Sequence, residues 1–267
     1  MRYSFLKQIA LGSAAALVVL ATIAVAADKP SQGYLTPGEF NVTTILEPAP
    51  RKGDPRYDAD RKIFRTTRPL LKTPRGALAT SDVDNSQPAL MRDFSCAVGV
   101  SLTPQNAPAL LHLASRAIAD TIGQTGIAKD FYKRARPFHM DKGPVCESKE
   151  ELGKSFDYPS GHTTRGWTWA FVLTELAPDR AQSILNRARA YGESRFICGA
   201  HNESAVEAGM ASASATMAVV RTKPAYKADL EAARTELSAL RAAPQTLRPS
   251  KCDVEEQLIS QRVMPTL

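Results

Sequence analysis

The stretch APALLHLASRAIADTIGQTG, residues 107–126, sets Leu110, Leu111, Leu113, Ala114, Ile118 and Ile122 at intervals of three and four. That is the period of an amphipathic helix with one buried face. Gly123 and Gly126 are expected to stop this helix, and Lys129 to begin another that ends or kinks at Pro137, whose ring removes a helical hydrogen bond. The same period recurs downstream. A helix is expected from residue 162 to about Leu176, with Trp167, Trp169, Phe171 and Val172 in the core. A second, capped by Asp179, runs through about Tyr191; a third, Ser204 to Val220, carries many small residues; a fourth spans Tyr226 to Leu240. Small faces let helices pack closely. With no convincing strand series, the chain reads as all-α, a single-domain helical bundle.

Outward from this core, residues 27–106 are read as an extended N-terminal wrap with short helical pieces and the first core helices, residues 107–245 as the catalytic helical core of the same domain, and residues 246–267 as a C-terminal tail. Proline and turn formers such as Glu47-Pro48-Ala49-Pro50 and Gly53-Asp54-Pro55 mark the wrap. A loop from Phe138 to Tyr158, with a turn of helix at Ser148 to Leu152, is placed to cover a pocket mouth. Residues 1–26 read as a secretory signal peptide: Arg2 and Lys7 precede the apolar run Ile9 to Val25, and Ala24-Val25-Ala26 is a small-residue cleavage site. An uncleaved anchor is the rival reading of that run. Cleavage leaves about 240 residues, enough for a sizeable core, and no further span-length apolar stretch, so no membrane association is expected after processing.

Export to the periplasm or medium permits disulfides. Cys96, Cys146, Cys198 and Cys252 allow three connectivities, and the expectation is two structural bridges without a choice among them. No cysteine or cysteine–histidine pair has close metal-ligand spacing, so neither a metal nor another cofactor is expected. The formal charge of +7 and pI near 9.3 raise the question of nucleic acid. The basic residues are dispersed and interleaved with acids, as in Glu231 to Arg241, which describes a solvated surface able to collect small anions rather than a nucleic-acid groove.

Three segments carry the chemistry: Lys129 with Arg136-Pro137, Pro159-Ser160-Gly161-His162, and Ser194-Arg195 followed by His201. Six residues separate Lys129 from Arg136 and five separate Arg195 from His201, about two helical turns at ~3.6 residues per turn, so each pair is expected to face one side. Three cations and two histidines around one hole suit a phosphoryl group, whose transition state spreads charge over three oxygens. Ser160 and the Gly161 amide, at a helix N-terminus, add anion-binding donors. Of the other histidines, His112 reads as structural in its leucine-rich helix, and His139 is the weaker candidate for the pocket rim.

Lys-x6-Arg-Pro, Pro-Ser-Gly-His and Ser-Arg-x5-His, in order and at this spacing, resemble the signature of the class A bacterial non-specific acid phosphatases, within the vanadium haloperoxidase and acid phosphatase superfamily. The likeness extends through Gly33-Tyr34-Leu35, Leu71-Lys72-Thr73-Pro74-Arg75, Asp93-Phe94-Ser95-Cys96 and Arg195-Phe196-Ile197-Cys198-Gly199, over roughly residues 33 to 240. The resemblance implies the superfamily's helical bundle and a metal-independent phosphatase acting on a broad range of phosphomonoesters through a phosphohistidine. It makes His201 the nucleophile, His162 the acid that protonates the leaving alkoxide, and Lys129, Arg136 and Arg195 the phosphate clamp, joined by Ser160 and Gly161. It further implies inhibition by phosphate or vanadate, and it is compatible with a homodimer.

One departure stands out. The family places an aspartate four residues after the nucleophile, and here that position is Ala205. Such a carboxylate orients the imidazole and stabilises its charge, so its loss is expected to reduce turnover, with Glu207 the candidate orienter in its place. Two alternatives follow: a phosphate- or phosphoester-binding relic without turnover, and a vanadate-dependent haloperoxidase, the latter disfavoured by chain length and flanking sequence.

Overall fold

The computed structural model describes Met1 and residues 32–264, so the expected signal peptide lies almost wholly outside the described residues. Ten α-helices follow in order: α1 Pro55–Thr67, α2 Pro74–Ser81, α3 Gln87–Val98, α4 Pro108–Tyr132, α5 Lys149–Gly153, α6 Gly161–Leu176, α7 Ala181–Ile197, α8 Glu203–Val220, α9 Pro224–Ala242 and α10 Cys252–Ile259, with no strand among the described residues. The all-α expectation holds. Pro55, Pro74, Pro108 and Pro224 open α1, α2, α4 and α9, where the missing N–H has no intrahelical partner to lose.

The bundle core forms where α4, α6, α7, α8 and α9 meet, around fully buried Leu110, Leu113, Trp169, Leu173, Tyr191 and Leu237. Gly209 on α8 permits a close approach: a Cβ there would lie 2.7 Å from the carbonyl oxygen of Ser160. This brings the start of α6 against α8.

Several boundaries differ from the sequence reading. Helix α4 does not stop at Gly123 or Gly126 but runs through both to Tyr132. Two glycines cost about 1 kcal/mol each, and the buried face that continues through Gln124, Thr125 and Ala128 outweighs them. That face also anchors the wrap: Gln124 Oε1 accepts from the Val42 amide at 2.9 Å and Asp120 Oδ2 from the Tyr34 amide at 2.7 Å. Within the expected wrap, residues 55–67 form the full helix α1. Helix α7 continues six residues beyond Tyr191. His112, read as structural, has its side chain mostly exposed on α4 beside Asp229.

The disulfides are Cys96–Cys252 and Cys146–Cys198. The first fastens α10 to α3; the second fastens the 138–158 loop to the end of α7. Between them a buried polar network braces α7. Arg187 Nη2 donates to Asp82 Oδ1 at 2.6 Å, Ser194 Oγ donates to Asp82 Oδ2 at 2.6 Å, and Arg75 Nη1 donates to Ser194 Oγ at 3.1 Å. Removing one member of a buried pair strands its partner's charge. Arg187→Ala is therefore expected to lower unfolding free energy by about 3–5 kcal/mol, measured by urea denaturation.

Candidate active site

Ile122, Thr125, Gly126, Lys129, Arg136, Ser155, Gly161, His162, Arg165 and His201 line one cavity of about 300 Å³. The three sequence motifs thus meet, though not by the helical spacing expected. Helix α4 ends at Tyr132, Lys133 takes a left-handed conformation with φ 48°, and extended chain carries Arg136 back toward Lys129. Likewise α7 ends at Ile197, and Gly199, with φ 72°, turns the chain so that the Ala200 and His201 amides both donate to the Arg195 carbonyl. Only glycine suits that turn: its φ disfavours a side chain, and a Cβ would meet Arg68 Nη1 at 2.3 Å.

His201 is buried and its ring is held on both sides. Nδ1 lies 2.7 Å from the carbonyl oxygen of Asp157 and 3.0 Å from its Oδ1. Nε2 lies 3.1 Å from Arg136 Nη1. A guanidinium only donates, and carbonyl and carboxylate oxygens only accept. The partners therefore assign the proton to Nδ1 and a lone pair to Nε2. Arg136 is fixed in turn by donating to the carbonyls of Ser155 and Ala200, each at 2.8 Å.

Asp157 is fully buried. Its Oδ1 also accepts from the Asn202 amide at 3.2 Å, and its Oδ2 accepts from Asn202 Nδ2 at 2.8 Å and faces Arg134 Nη1 at 3.5 Å. Burial raises its pKa, while Arg134 and Asn202 oppose the rise. Since these neighbours are donors, the anion is the form that fits. Sequence reasoning passed over this residue; the one available signal was a carboxylate next to Tyr158-Pro159-Ser160-Gly161-His162 in a chain lacking one at 205. Glu207, the expected orienter, does not reach His201. It is half-exposed and paired with Arg56 at 2.8 Å, because its place on α8 turns it toward α1.

His162, in the first turn of α6, donates from Nε2 to the Val83 carbonyl at 2.9 Å, which leaves Nδ1 as the ring's acceptor, 3.3 Å from Asn85 Nδ2. Ser160 is the N-cap of α6, buried, its oxygen accepting from the Thr163 amide; it lies behind the cavity wall formed by Gly161. Arg195 is fully buried, and Nε and Nη1 have no partner among the described residues, while Nη2 pairs with Glu147. Glu147 follows Cys146, so the disulfide to Cys198 sets it against Arg195. Lys129 donates to the Phe156 carbonyl. Arg165, one turn along α6 from Gly161, joins the lining unforeseen. His139 is exposed and rests on Phe138 away from the cavity.

The electrostatics follow from crowded, buried cations. Burial and the Arg136 charge bring the Lys129 pKa down to about 7, and burial brings that of Arg136 down to about 10. Both histidines fall well below 6.5: His201 through burial and then Arg136, Lys129 and Arg195, His162 through burial and then Arg195. An anion placed among these groups relieves each of those repulsions. The sign for stability is definite. An unfolded histidine takes a proton near pH 6.5 and the folded one does not, so folding loses stability as pH falls below that value. Relative to a His162→Ala/His201→Ala variant, the wild type is expected to lose about 2 kcal/mol between pH 6.5 and 5.5, measured by urea unfolding at fixed ionic strength.

Comparison with known proteins gives a consistent result. The PAP2 superfamily profile matches residues 108–228. An acid phosphatase of Zymomonas mobilis is 39% identical over 213 residues, covering 79% of this chain and 81% of its own. Non-specific acid phosphatases of Salmonella typhimurium and Providencia stuartii are 35% and 34% identical, covering 78% and 80% of this chain and 84% and 88% of their own.

Proposed function

On the premise that the chain belongs to the PAP2 superfamily and is one of its acid phosphatases, we propose that it hydrolyses a broad range of phosphomonoesters, without a metal, through a phosphohistidine on His201. The observation that carries this reading is the His201 ring: Nδ1 engaged by Asp157, Nε2 directed to Arg136 in a cavity that Lys129 also lines. A neutral imidazole is a competent nucleophile in acid because its cationic, buried setting keeps protons off it.

In the first displacement the Nε2 lone pair forms the bond to phosphorus, the bond to the ester oxygen breaks, and His162, protonated on Nδ1 once the bound substrate's negative charge offsets Arg195, gives that oxygen its proton. Water then attacks the phosphohistidine, His162 takes a proton from it, and phosphate leaves with Nε2 restored. Lys129, Arg136, Arg195 and the Gly161 amide stabilise the charge on the equatorial oxygens. Those cations supply the charge stabilisation a metal would otherwise bring. Such a clamp grips the phosphoryl group alone, which supports breadth toward the alcohol portion. Phosphate and vanadate are the corresponding inhibitors. The two disulfides suit a periplasmic or secreted location, and among the described residues no helix is long and apolar enough to cross a membrane.

A phosphate-binding relic was attractive because position 205 is alanine. Asp157 against Nδ1 weakens that reason and favours turnover. The deciding experiment is hydrolysis of p-nitrophenyl phosphate across about pH 4 to 8 in excess chelator, with rapid quenching into alkali to trap labelled phosphohistidine. Chelator-resistant turnover with label on His201 is expected. Turnover that vanishes on chelation, or a folded protein that binds phosphate without turnover, would overturn the reading.

A further inference from the structure

A histidine that carries a phosphoryl group on Nε2 is positively charged over its ring, and a buried positive ring needs a counter-charge on its far nitrogen. We propose that Asp157 is the positioning residue that supplies it. Its carboxylate enters from the segment preceding the Tyr158–His162 motif, taking the place of the aspartate that α8 lacks at position 205. The inference deepens the phosphatase reading and rests on His201 being the nucleophile.

The geometry gives Asp157 two separable tasks. Its backbone carbonyl, 2.7 Å from Nδ1, fixes the tautomer; its carboxylate, 3.0 Å away, supplies the charge. The carboxylate is held for that purpose. Asn202 grips both oxygens, and the Asp157 amide donates to the Arg134 carbonyl at 2.9 Å. Arg134 is itself tied to Asp60 at 2.6 Å. Position 205 offers no equivalent. Ala205 is fully buried with Tyr158 and Ala208 in a small apolar cluster, and its carbonyl accepts from the Ser160 amide at 2.9 Å. With Tyr158 packed on Ala205, its neighbour Asp157 is set against Nδ1 of the nucleophile.

Asp157→Asn separates the tasks, since the carbonyl remains while the charge is lost. The expected result is a fall in kcat of about 30- to 100-fold with KM and the inhibition constant of phosphate within about threefold, because a charge needed during phosphoryl transfer is missing while ground-state binding is kept. A residue serving only as a tie to Asn202 would instead disturb KM and thermal stability together. A measurement on the wild-type protein stands independently of whether the variant folds: in 15N-histidine NMR, His201 is expected with the proton on Nδ1 and none on Nε2. Folded Asp157→Asn protein with wild-type kcat, a parallel change in KM and stability, or a wild-type His201 protonated on Nε2 would each overturn the proposal. His201→Ala assayed alongside keeps two failures apart. If that variant is as active as wild type, the nucleophile is misassigned; if it is inactive while Asp157→Asn is unimpaired, the nucleophile stands and Asp157 is not its positioning residue.

Discussion

His201→Ala protein is expected to release phosphate from p-nitrophenyl phosphate at least ~10⁴-fold more slowly than wild type and to form no labelled enzyme on alkaline quenching. The size of the loss follows from the route: without Nε2 the two displacements collapse into one unassisted attack by water. The clamp survives the substitution, because Arg136 keeps its bonds to the Ser155 and Ala200 carbonyls. Phosphate should accordingly still bind. The imidazole removed is neutral, so the charge of the clamp is unchanged and the dissociation constant of phosphate is expected to change by less than about tenfold. Steady-state kinetics checks the first part, and calorimetric titration with phosphate the second.

The second large effect is expected at Arg195. Its guanidinium is fully buried, Glu147 engages one nitrogen, and two further nitrogens have no protein partner among the described residues. Buried donors left unpaired are costly unless a bound anion takes them. Arg195→Ala should reduce kcat/KM by about 10³-fold, in the range for losing a donor that stabilises transition-state charge. Arg195→Lys should recover little, since an ammonium cannot present the forked pair of N–H groups. An Arg195→Ala variant with kcat/KM within tenfold of wild type would show that Arg195 serves the fold alone.

The helical core was legible because its signal is periodic and local: α6, α8 and α9 begin and end close to where apolar spacing and capping residues put them. Boundaries failed where long-range packing outweighed local preference, as at Gly123 and Gly126, or where the motif spacing was read as two helical turns. Lys129 and Arg136 do converge, yet by a helix end and an extended return. The motifs drew attention to half of the cavity lining, Lys129, Arg136, Gly161, His162 and His201, because they are short, ordered and chemically specific. Asp157 was illegible because its significance lies in what surrounds it. A carboxylate between phenylalanine and tyrosine says nothing of Asn202 and Arg134, which come from other parts of the chain. Arg165 was hidden likewise, as a lone arginine on α6 outside the three motifs.

The bridge between Cys96 and Cys252 has a topological consequence. Lys129, Arg136, His162, Arg195 and His201 all lie between its two ends, so the whole reactive apparatus sits on one covalent ring. A protease that cuts that ring once, for instance in the loop between residues 138 and 158, opens it without releasing a fragment. The severed ends stay tethered, and the bundle can hold its histidines and arginines together after the cut.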